Sequence, residues 1–207
     1  MITFKRTFVY NFEHALRGMR NPMNSWDKSD SFMDDSGKYN IGPEDLKLAQ
    51  KLIRGGSEHR KFMRQIFVTV DITAPLYWWK EFDTYKVGTV ANSCSTMHKI
   101  HSKEFSRSDF AHDRLSPEAL AQLDSLISFL EKQRQVFNDT KDKSAWDDII
   151  QLLPTSYLQM RTVTMNYENI ISIIHQRKSH KLTEWSHGFI DWVKTLPYAN
   201  ELLFIEK

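Results

Sequence analysis

The stretch that decides the fold is RQIFVTVDITAPLYWWKEFDTYKVGTVANSCSTMHK, residues 64–99. In its first ten residues, 64–73, β-branched side chains recur in alternation along the chain. This pattern predicts a β-strand that is broken by the following Ala-Pro pair. The spacing then becomes helical, with Pro75 at the helix start. A run of small hydroxyl residues, 82–99, follows this helix. We expect the run to be a loop near a helix start, in which hydroxyls, backbone amides and Gly88 surround a phosphate group.

Outside this stretch, the same local rules predict a helix-rich α+β protein. A strand is predicted over residues 3–12, and helices over 13–19, 43–54, 116–137, 144–153, 166–178 and 182–195. The helix 43–54 has the clearest signals, because proline opens it, Glu44 and Asp45 complement its dipole and two glycines end it. Residues 21–42 are rich in Asn, Asp, Ser and Gly, which predicts a long surface loop. A loop of this length is often functional.

Composition sets the broad class of the protein. With 207 residues and 41% hydrophobic side chains, the chain can bury a substantial core, and we expect a single domain over residues 1–207. The net charge of +2 comes from well-mixed acidic and basic residues, so we expect no nucleic-acid partner. One cysteine, the absence of a signal-peptide core and the absence of a long apolar run predict a cytoplasmic protein without a membrane span.

Two regions, 55–97 and 153–187, resemble the flavin-dependent thymidylate synthase family in the spacing of their landmarks. Ala74-Pro75 matches the family's strand ending, and Thr84, Tyr85 and Lys86 stand where the family has Arg-His-Arg. Further landmarks match at Leu153-Pro154, Thr164, Asn166 and Arg177, whereas of the family's final Ala-Gln-x-Glu-Ile-Arg element only a basic group, His187, is kept. The resemblance implies an α+β domain that is rich in helix and has a central antiparallel sheet.

The resemblance also implies site residues. Cofactor contacts would fall on His59, Tyr85, Lys86, Asn166, His175 and Arg177. Substrate contacts would fall on Thr89, Asn92, Ser93, Ser95, His98 and His187. Two alignments of the run stay open, because one inserted residue brings Asn92 and Ser95 into register, and otherwise Cys94 and Thr96 take those places. The catalytic residues stay unassigned.

The function implied by the resemblance is the reductive methylation of dUMP to dTMP. FAD would be the cofactor, with NADPH and methylenetetrahydrofolate as co-substrates, and the protein would be a homotetramer. Lysine cannot reproduce the bidentate fork of arginine, so loss of the triplet raises the question of what supplies positive charge to phosphates. Arg17, Arg20, Arg54 and Arg60 are candidates to replace it.

Three functions therefore stay open at this level: a flavin-dependent thymidylate synthase, a divergent homologue that binds a nucleotide or flavin without methyl transfer, and a structural or interaction protein.

Other patterns favour ordinary structural roles. Trp78 and Trp79 have the helical spacing of core residues. His98, His101 and Glu104 lie three residues apart, but no further cluster completes a metal site, so we expect no metal.

Overall fold

A computed structural model of the protein describes residues 1–205. The chain divides into two compact units. The first unit contains residues 1–3, 71–84 and 91–162, and the second contains residues 4–70, 85–90 and 163–207. The organisation as a single domain stays a prediction.

The strands are β1 (Thr3–Tyr10), β2 (Phe32–Met33), β3 (Tyr39–Asn40), β4 (Phe67–Pro75), β5 (Val90–Ser93) and β6 (Leu158–Asn166). The α-helices are α1 (Phe12–Arg20), α2 (Pro43–Arg54), α3 (Leu76–Phe82), α4 (Pro117–Thr140), α5 (Lys143–Leu152), α6 (Tyr167–Arg177), α7 (Ile190–Lys194) and α8 (Ala199–Leu202). Short 3-10 turns cover Asn21–Met23, Trp26–Lys28, Lys61–Gln65 and Arg107–Asp109, and a π-helical segment covers Glu184–Phe189. Within residues 1–205, no helix combines the length and the apolarity that crossing a membrane requires.

Four strands form one antiparallel sheet in the order β1-β4-β6-β5. The sheet and the predominance of helix confirm the predicted α+β class. The boundaries of the two units fall within these strands, for example between residues 70 and 71 in β4. A second sheet contains only β2 and β3, which pair antiparallel as a hairpin with Phe32 opposite Asn40.

The first unit has its core between α4 and α5. Phe110, Leu130 and Ile149 are fully buried there, and Leu123 and Ile127 on α4 pack into the same cluster. Local capping sets where both helices begin: the Ser116 side chain accepts a hydrogen bond from the amide of Ala119, and the Asp142 side chain accepts one from the amide of Ser144.

The second unit packs α1 and the start of α6 against the 3-10 turn Lys61–Gln65. Leu16, Met63 and Tyr167 are almost completely buried in this core. The Tyr167 hydroxyl donates a hydrogen bond of 2.6 Å to the carbonyl oxygen of Pro197. Burial raises the pKa of Tyr167 far above its ordinary value, so this phenol stays protonated and acts as a structural donor.

The predicted loop 21–42 contains more structure than its composition indicates. Asp45 on α2, which is fully buried, organises one half of the loop, because its carboxylate accepts hydrogen bonds from the hydroxyls of Ser29 and Ser31 and from the guanidinium of Arg20. Asp34 organises the other half, because it accepts hydrogen bonds from Ser36 and Asn40 across the hairpin. Residues 21–42 thus form two turns and a hairpin, which the carboxylates of Asp45 and Asp34 hold in place.

The structure corrects several predicted boundaries. β4 begins at Phe67 and continues through Pro75, whereas the pattern predicted a strand over 64–73. The hydroxyl-rich run is not a loop at a helix start, because Val90–Ser93 form strand β5 and the nearest following helical turn begins at Arg107. Strand β6 was not predicted, and its last residue, Asn166, precedes the helix that the pattern predicted to begin at residue 166.

Candidate functional site

The candidate site in the second unit is built where residues 85–90 lie against the start of α6. Asn166 and Asn169 form a capping box there, and each side chain accepts a hydrogen bond from the other residue's amide. The Asn169 side chain also donates a bond of 2.7 Å to the carbonyl oxygen of Val87. The helix start therefore fixes the position of the segment that follows Tyr85.

Gly88 lies where this segment approaches α6 most closely. Its φ is +77°, in the left-handed region that favours glycine, and a Cβ atom there would lie 3.0 Å from the side-chain atoms of both Asn166 and Asn169. The sequence predicted that Gly88 permits a close approach of the chain. The structure places that approach against α6, where it sets the path of the backbone.

Tyr85 and Arg177 are 92 residues apart in sequence, and the fold brings them into contact. The Nε atom of Arg177 donates a hydrogen bond of 2.8 Å to the Tyr85 hydroxyl, which in turn donates one of 3.1 Å to Gln176. The guanidinium carbon of Arg177 lies 5.6 Å from the centre of the Tyr85 ring and 5.1 Å from that of Trp185, distances typical of cation–π contacts. Arg177 thus lies against two aromatic rings that also contact each other, and the Tyr85 hydroxyl aligns its guanidinium.

Lys86 is the residue that follows Tyr85, and its side chain is exposed. Two predicted cofactor residues with a positive charge therefore adjoin Tyr85, Lys86 as its neighbour in the chain and Arg177 through a hydrogen bond. Such a pair can attract an anion such as a phosphate group.

His175 lies on α6 two residues before Arg177 and lines a small depression together with Arg54 and Arg60. Arg60 makes a two-point ion pair with Glu168 in the first turn of α6, with distances of 2.7 and 3.0 Å. The charge of Arg60 is therefore already paired within the chain.

His59, the remaining predicted cofactor residue, lies just beyond the end of α2. It lines a groove of about 640 Å³ that also includes Met23, Leu52 and Phe62. Tyr85 and Arg177 are not among the residues that line this groove. His59 is thus placed apart from the Tyr85 and Arg177 contact within the second unit.

Arg20, another candidate to replace the positive charge of the family's triplet, is also paired within the chain. Arg20 is 5% exposed, and its Nε atom lies 2.5 Å from a carboxylate oxygen of the buried Asp45. Arg20 and Arg60 are therefore both paired with carboxylates within the chain. Arg17 is exposed and lies over the ring of Trp26 at 5.4 Å, and Arg54 is exposed.

The predicted substrate residues fall in both units. Thr89 belongs to the second unit, where its hydroxyl donates to the carbonyl oxygen of Tyr85 and closes the turn. His187 is an exposed residue of the π-helical segment Glu184–Phe189. These two residues therefore lie on the same unit as the Tyr85 and Arg177 contact.

The other substrate residues belong to the first unit. Asn92 and Ser93 are exposed on β5, and His98 is exposed beyond it. The hydroxyl oxygen of Ser95 accepts hydrogen bonds from the amides of Met97 at 3.2 Å and His98 at 3.1 Å, which makes it the organiser of a local turn. Cys94 pairs with β6 through its backbone, since its amide donates to Met160.

The two tryptophans of α3 are core residues, as predicted. Trp78 and Trp79 are at most 1% exposed. The indole nitrogen of Trp79 donates a hydrogen bond of 2.9 Å to the carbonyl oxygen of Gln159, and the guanidinium carbon of Arg161 lies 4.3 Å from its ring centre. In residues 1–205, no group of three or more His, Cys, Asp and Glu side chains has the arrangement of a metal site.

Sequence reasoning missed Asn169, Gln176 and Trp185. A signal existed for Asn169, because Asn166 and Asn169 have the spacing of a capping box and would have placed the helix start between them. No local signal identifies Gln176 or Trp185, since their roles depend on Tyr85, which lies 91 and 100 residues earlier, respectively.

Comparison with solved structures shows the flavin-dependent thymidylate synthase fold along almost the whole chain. A crystal structure of thymidylate synthase X (ThyX) from Helicobacter pylori with FAD and dUMP matches with a TM-score of 0.66 and 14% sequence identity, over 98% of this chain and 96% of that one. A UMP/dUMP methylase, PolB from Streptomyces cacaoi, bound with 5-Br UMP, matches with a TM-score of 0.65 and 14% identity, over 99% of this chain and 94% of that one. No protein-family model and no curated protein matches the sequence. The fold implied by the resemblance is thereby confirmed.

Proposed function

We propose that the protein binds FAD and a uracil nucleotide and catalyses the reductive methylation of dUMP to dTMP. The observation that carries the proposal is a shared fold over more than nine tenths of this chain and of two uracil-nucleotide proteins, ThyX with FAD and dUMP and PolB with 5-Br UMP. Methylenetetrahydrofolate as the carbon donor, NADPH as the reductant, a homotetrameric assembly and a cytoplasmic location are parts of the same proposal and rest on the family resemblance.

The residues around Tyr85 fit the charge of the FAD pyrophosphate. Lys86 and Arg177 would hold it, because Lys86 follows Tyr85 in the chain and Arg177 is bound to the Tyr85 hydroxyl through its Nε atom. The backbone at Gly88, kept in place by Asn169, would border the same anion. When bound, the flavin supplies the electrons for the reduction. The protein's own residues would bind and orient the flavin and neutralise the charge of its pyrophosphate.

An alternative is a homologue that binds the nucleotide or flavin without methyl transfer. The observation that favours it is the replacement of the family's Arg-His-Arg by Thr84, Tyr85 and Lys86. Tyr85 further engages the Nε atom of Arg177, so that this donor is used within the protein and not on a ligand. The two functions share a binding site and differ in whether dTMP is formed.

The test starts with the visible absorption spectrum of the purified protein, followed by titration with FAD and with dUMP. We expect flavin absorption or saturable FAD uptake, and dUMP binding. Arg177→Gln should weaken FAD binding by about tenfold to a hundredfold, the effect of losing a charge-assisted hydrogen bond. Lys178→Gln is the matched control, because it removes the same charge one residue further along at an exposed position. It should change FAD affinity by less than about twofold, since an exposed charge typically contributes little.

The outcomes separate the two candidates. Formation of dTMP from dUMP with methylenetetrahydrofolate and NADPH supports the synthase. Binding of FAD or dUMP without dTMP formation supports the alternative. A colourless protein that takes up neither FAD nor dUMP refutes both.

A further inference from the structure

A second cavity lies in the second unit and contains none of the residues of the candidate site. It has a volume of about 490 Å³ and is bordered by the end of β1, the first turn of α1, the β2–β3 hairpin and residues 197–198. This volume lies within the range of small-molecule pockets, roughly 300–1,000 Å³. The predicted loop 21–42 thus supplies, through its hairpin, one wall of a ligand-sized cavity.

Four aromatic side chains contribute to the walls. Tyr10, Phe12, Tyr39 and Tyr198 all line the cavity. The rings of Phe12 and Tyr198 meet edge to face at 5.6 Å, and the Tyr10 ring stacks on Phe67 at 5.7 Å. Tyr10 is nevertheless 48% exposed, so a large part of its ring is accessible from the solvent.

Hydrogen bonds fix these walls. The Tyr198 hydroxyl accepts a bond of 2.9 Å from the amide of Ile41 and donates one of 3.3 Å to the carbonyl oxygen of Tyr39. The hairpin is closed by Asn40, whose side-chain amide donates a bond of 2.8 Å to Asp34. The arrangement is therefore preorganised, which lowers the entropy that a bound molecule has to overcome.

The backbone around the cavity is strained at two positions that are not glycine. Asn11 has a φ of +74° and Tyr198 a φ of +54°, and both residues line the cavity. A bulky side chain such as tyrosine seldom adopts the left-handed region. Strain of this kind persists where the surrounding contacts enforce it, and it concentrates at ligand sites.

The charges around the cavity balance. Glu13 and Lys38 contribute one negative and one positive side chain, and Asn11 and His14 add polar groups. A strongly anionic or cationic ligand would meet one like charge, whereas a neutral ring with donors and acceptors along its edge meets polar partners. We propose that this cavity binds a neutral, planar heteroaromatic ring of the nucleobase class, stacked on its tyrosine rings.

The test uses two neutral probes, adenosine and caffeine, titrated into the full chain by NMR. Tyr10→Ala should weaken binding of both probes by about tenfold or more, since removing one stacking ring from a base typically has an effect of this order. Phe8→Ala is the matched control, because Phe8 lies two residues earlier on β1, is 68% exposed and does not line the cavity. It should leave both affinities within about twofold.

Two further variants make the test decisive. Lys38→Gln should leave the affinity for these uncharged probes unchanged, and a tenfold loss would show that the cavity selects charge and not a neutral ring. Arg177→Gln should also leave it unchanged, so that a failure of the proposed flavin site is distinguishable from a failure here. Absence of binding for both probes, or an equal loss in Tyr10→Ala and Phe8→Ala, overturns the proposal.

Discussion

The buried ion pair between Arg20 and Asp45 should contribute a large part of the stability of the second unit. The Asp45 side chain is fully buried and Arg20 is 5% exposed. One carboxylate oxygen of Asp45 lies 2.5 Å from Arg20, and the other accepts hydrogen bonds of 2.6 Å from the hydroxyls of both Ser29 and Ser31 and one of 3.2 Å from the Ser31 amide. Burial alone would raise the pKa of Asp45, but these hydrogen bonds outweigh burial and hold its pKa below the ordinary value.

The perturbation is Asp45→Asn, which preserves shape and removes the charge. It leaves the buried guanidinium of Arg20 without a counter-ion, and it places the new NH2 group either against that guanidinium or against the Ser31 amide, so that a donor faces a donor in both orientations. Breaking one partner of a buried pair typically costs about 3–5 kcal/mol, so we expect a loss of free energy of unfolding in that range. Arg20→Met in combination with Asp45→Asn should lose less than Asp45→Asn alone, because the unpaired charge is then absent.

The assay is urea denaturation followed by tryptophan fluorescence and by circular dichroism, with the midpoint and the m-value compared between variants. Asp124→Asn is the control, because Asp124 makes a two-point ion pair with Arg107 in which both side chains are more than 40% exposed. It should shift the urea midpoint much less than Asp45→Asn does, because an exposed ion pair contributes little to stability. Equal losses for Asp45→Asn and Asp124→Asn, or a loss below about 1 kcal/mol for Asp45→Asn, would refute the reasoning.

Three further predictions concern single contacts. Gly88→Ala should weaken FAD or dUMP binding more than Gly37→Ala does, because both glycines have a positive φ but only the first has side-chain atoms 3.0 Å from an added Cβ; equal ligand affinities would contradict this. Hydrogen bonds, first from Ser36 and then from Asn40, lower the pKa of Asp34 from 3.8 to about 2. Its carboxylate thus stabilises the fold above pH 3.8, and this contribution disappears as the pH falls through about 2. Asp34→Asn should flatten the acid limb of a stability-versus-pH curve, and an unchanged limb would count against the assignment. Glu168→Gln should lower the free energy of unfolding by about 1–3 kcal/mol, since its pair with Arg60 is 13% exposed on both sides; a urea midpoint equal to that of the unmodified chain would show the pair to be neutral.

Elements set by local rules were predicted well. Helix α2 begins at Pro43 and ends at Arg54, as its proline, acidic first turn and glycines predicted. The helix predicted over 116–137 likewise starts where expected, with Ser116 as its N-cap and Pro117 as its first residue. These features depend on backbone groups within one turn, so the adjacent residues contain the necessary information.

Strands were predicted less well, because a strand is stabilised by its partners. β6 was missed, although Val163, Met165 and Asn166 are buried in it. β5 was expected to be part of a loop, because the run that contains it is rich in small hydroxyl residues. Strand propensity reflects packing against neighbouring strands and faces, which a single stretch of sequence does not contain.

By itself, the sequence determined the helix-rich α+β class, the limits of the best-capped helices, the core role of the two tryptophans of α3 and the spacing that resembles flavin-dependent thymidylate synthases. Only the tertiary structure decided which charges are available. It placed Arg20 against Asp45, Arg60 against Glu168, and Arg177 against Tyr85. These partners are 25, 108 and 92 residues apart, so no local pattern links them. The role of an arginine depends on the groups that the fold brings within hydrogen-bonding distance of its guanidinium.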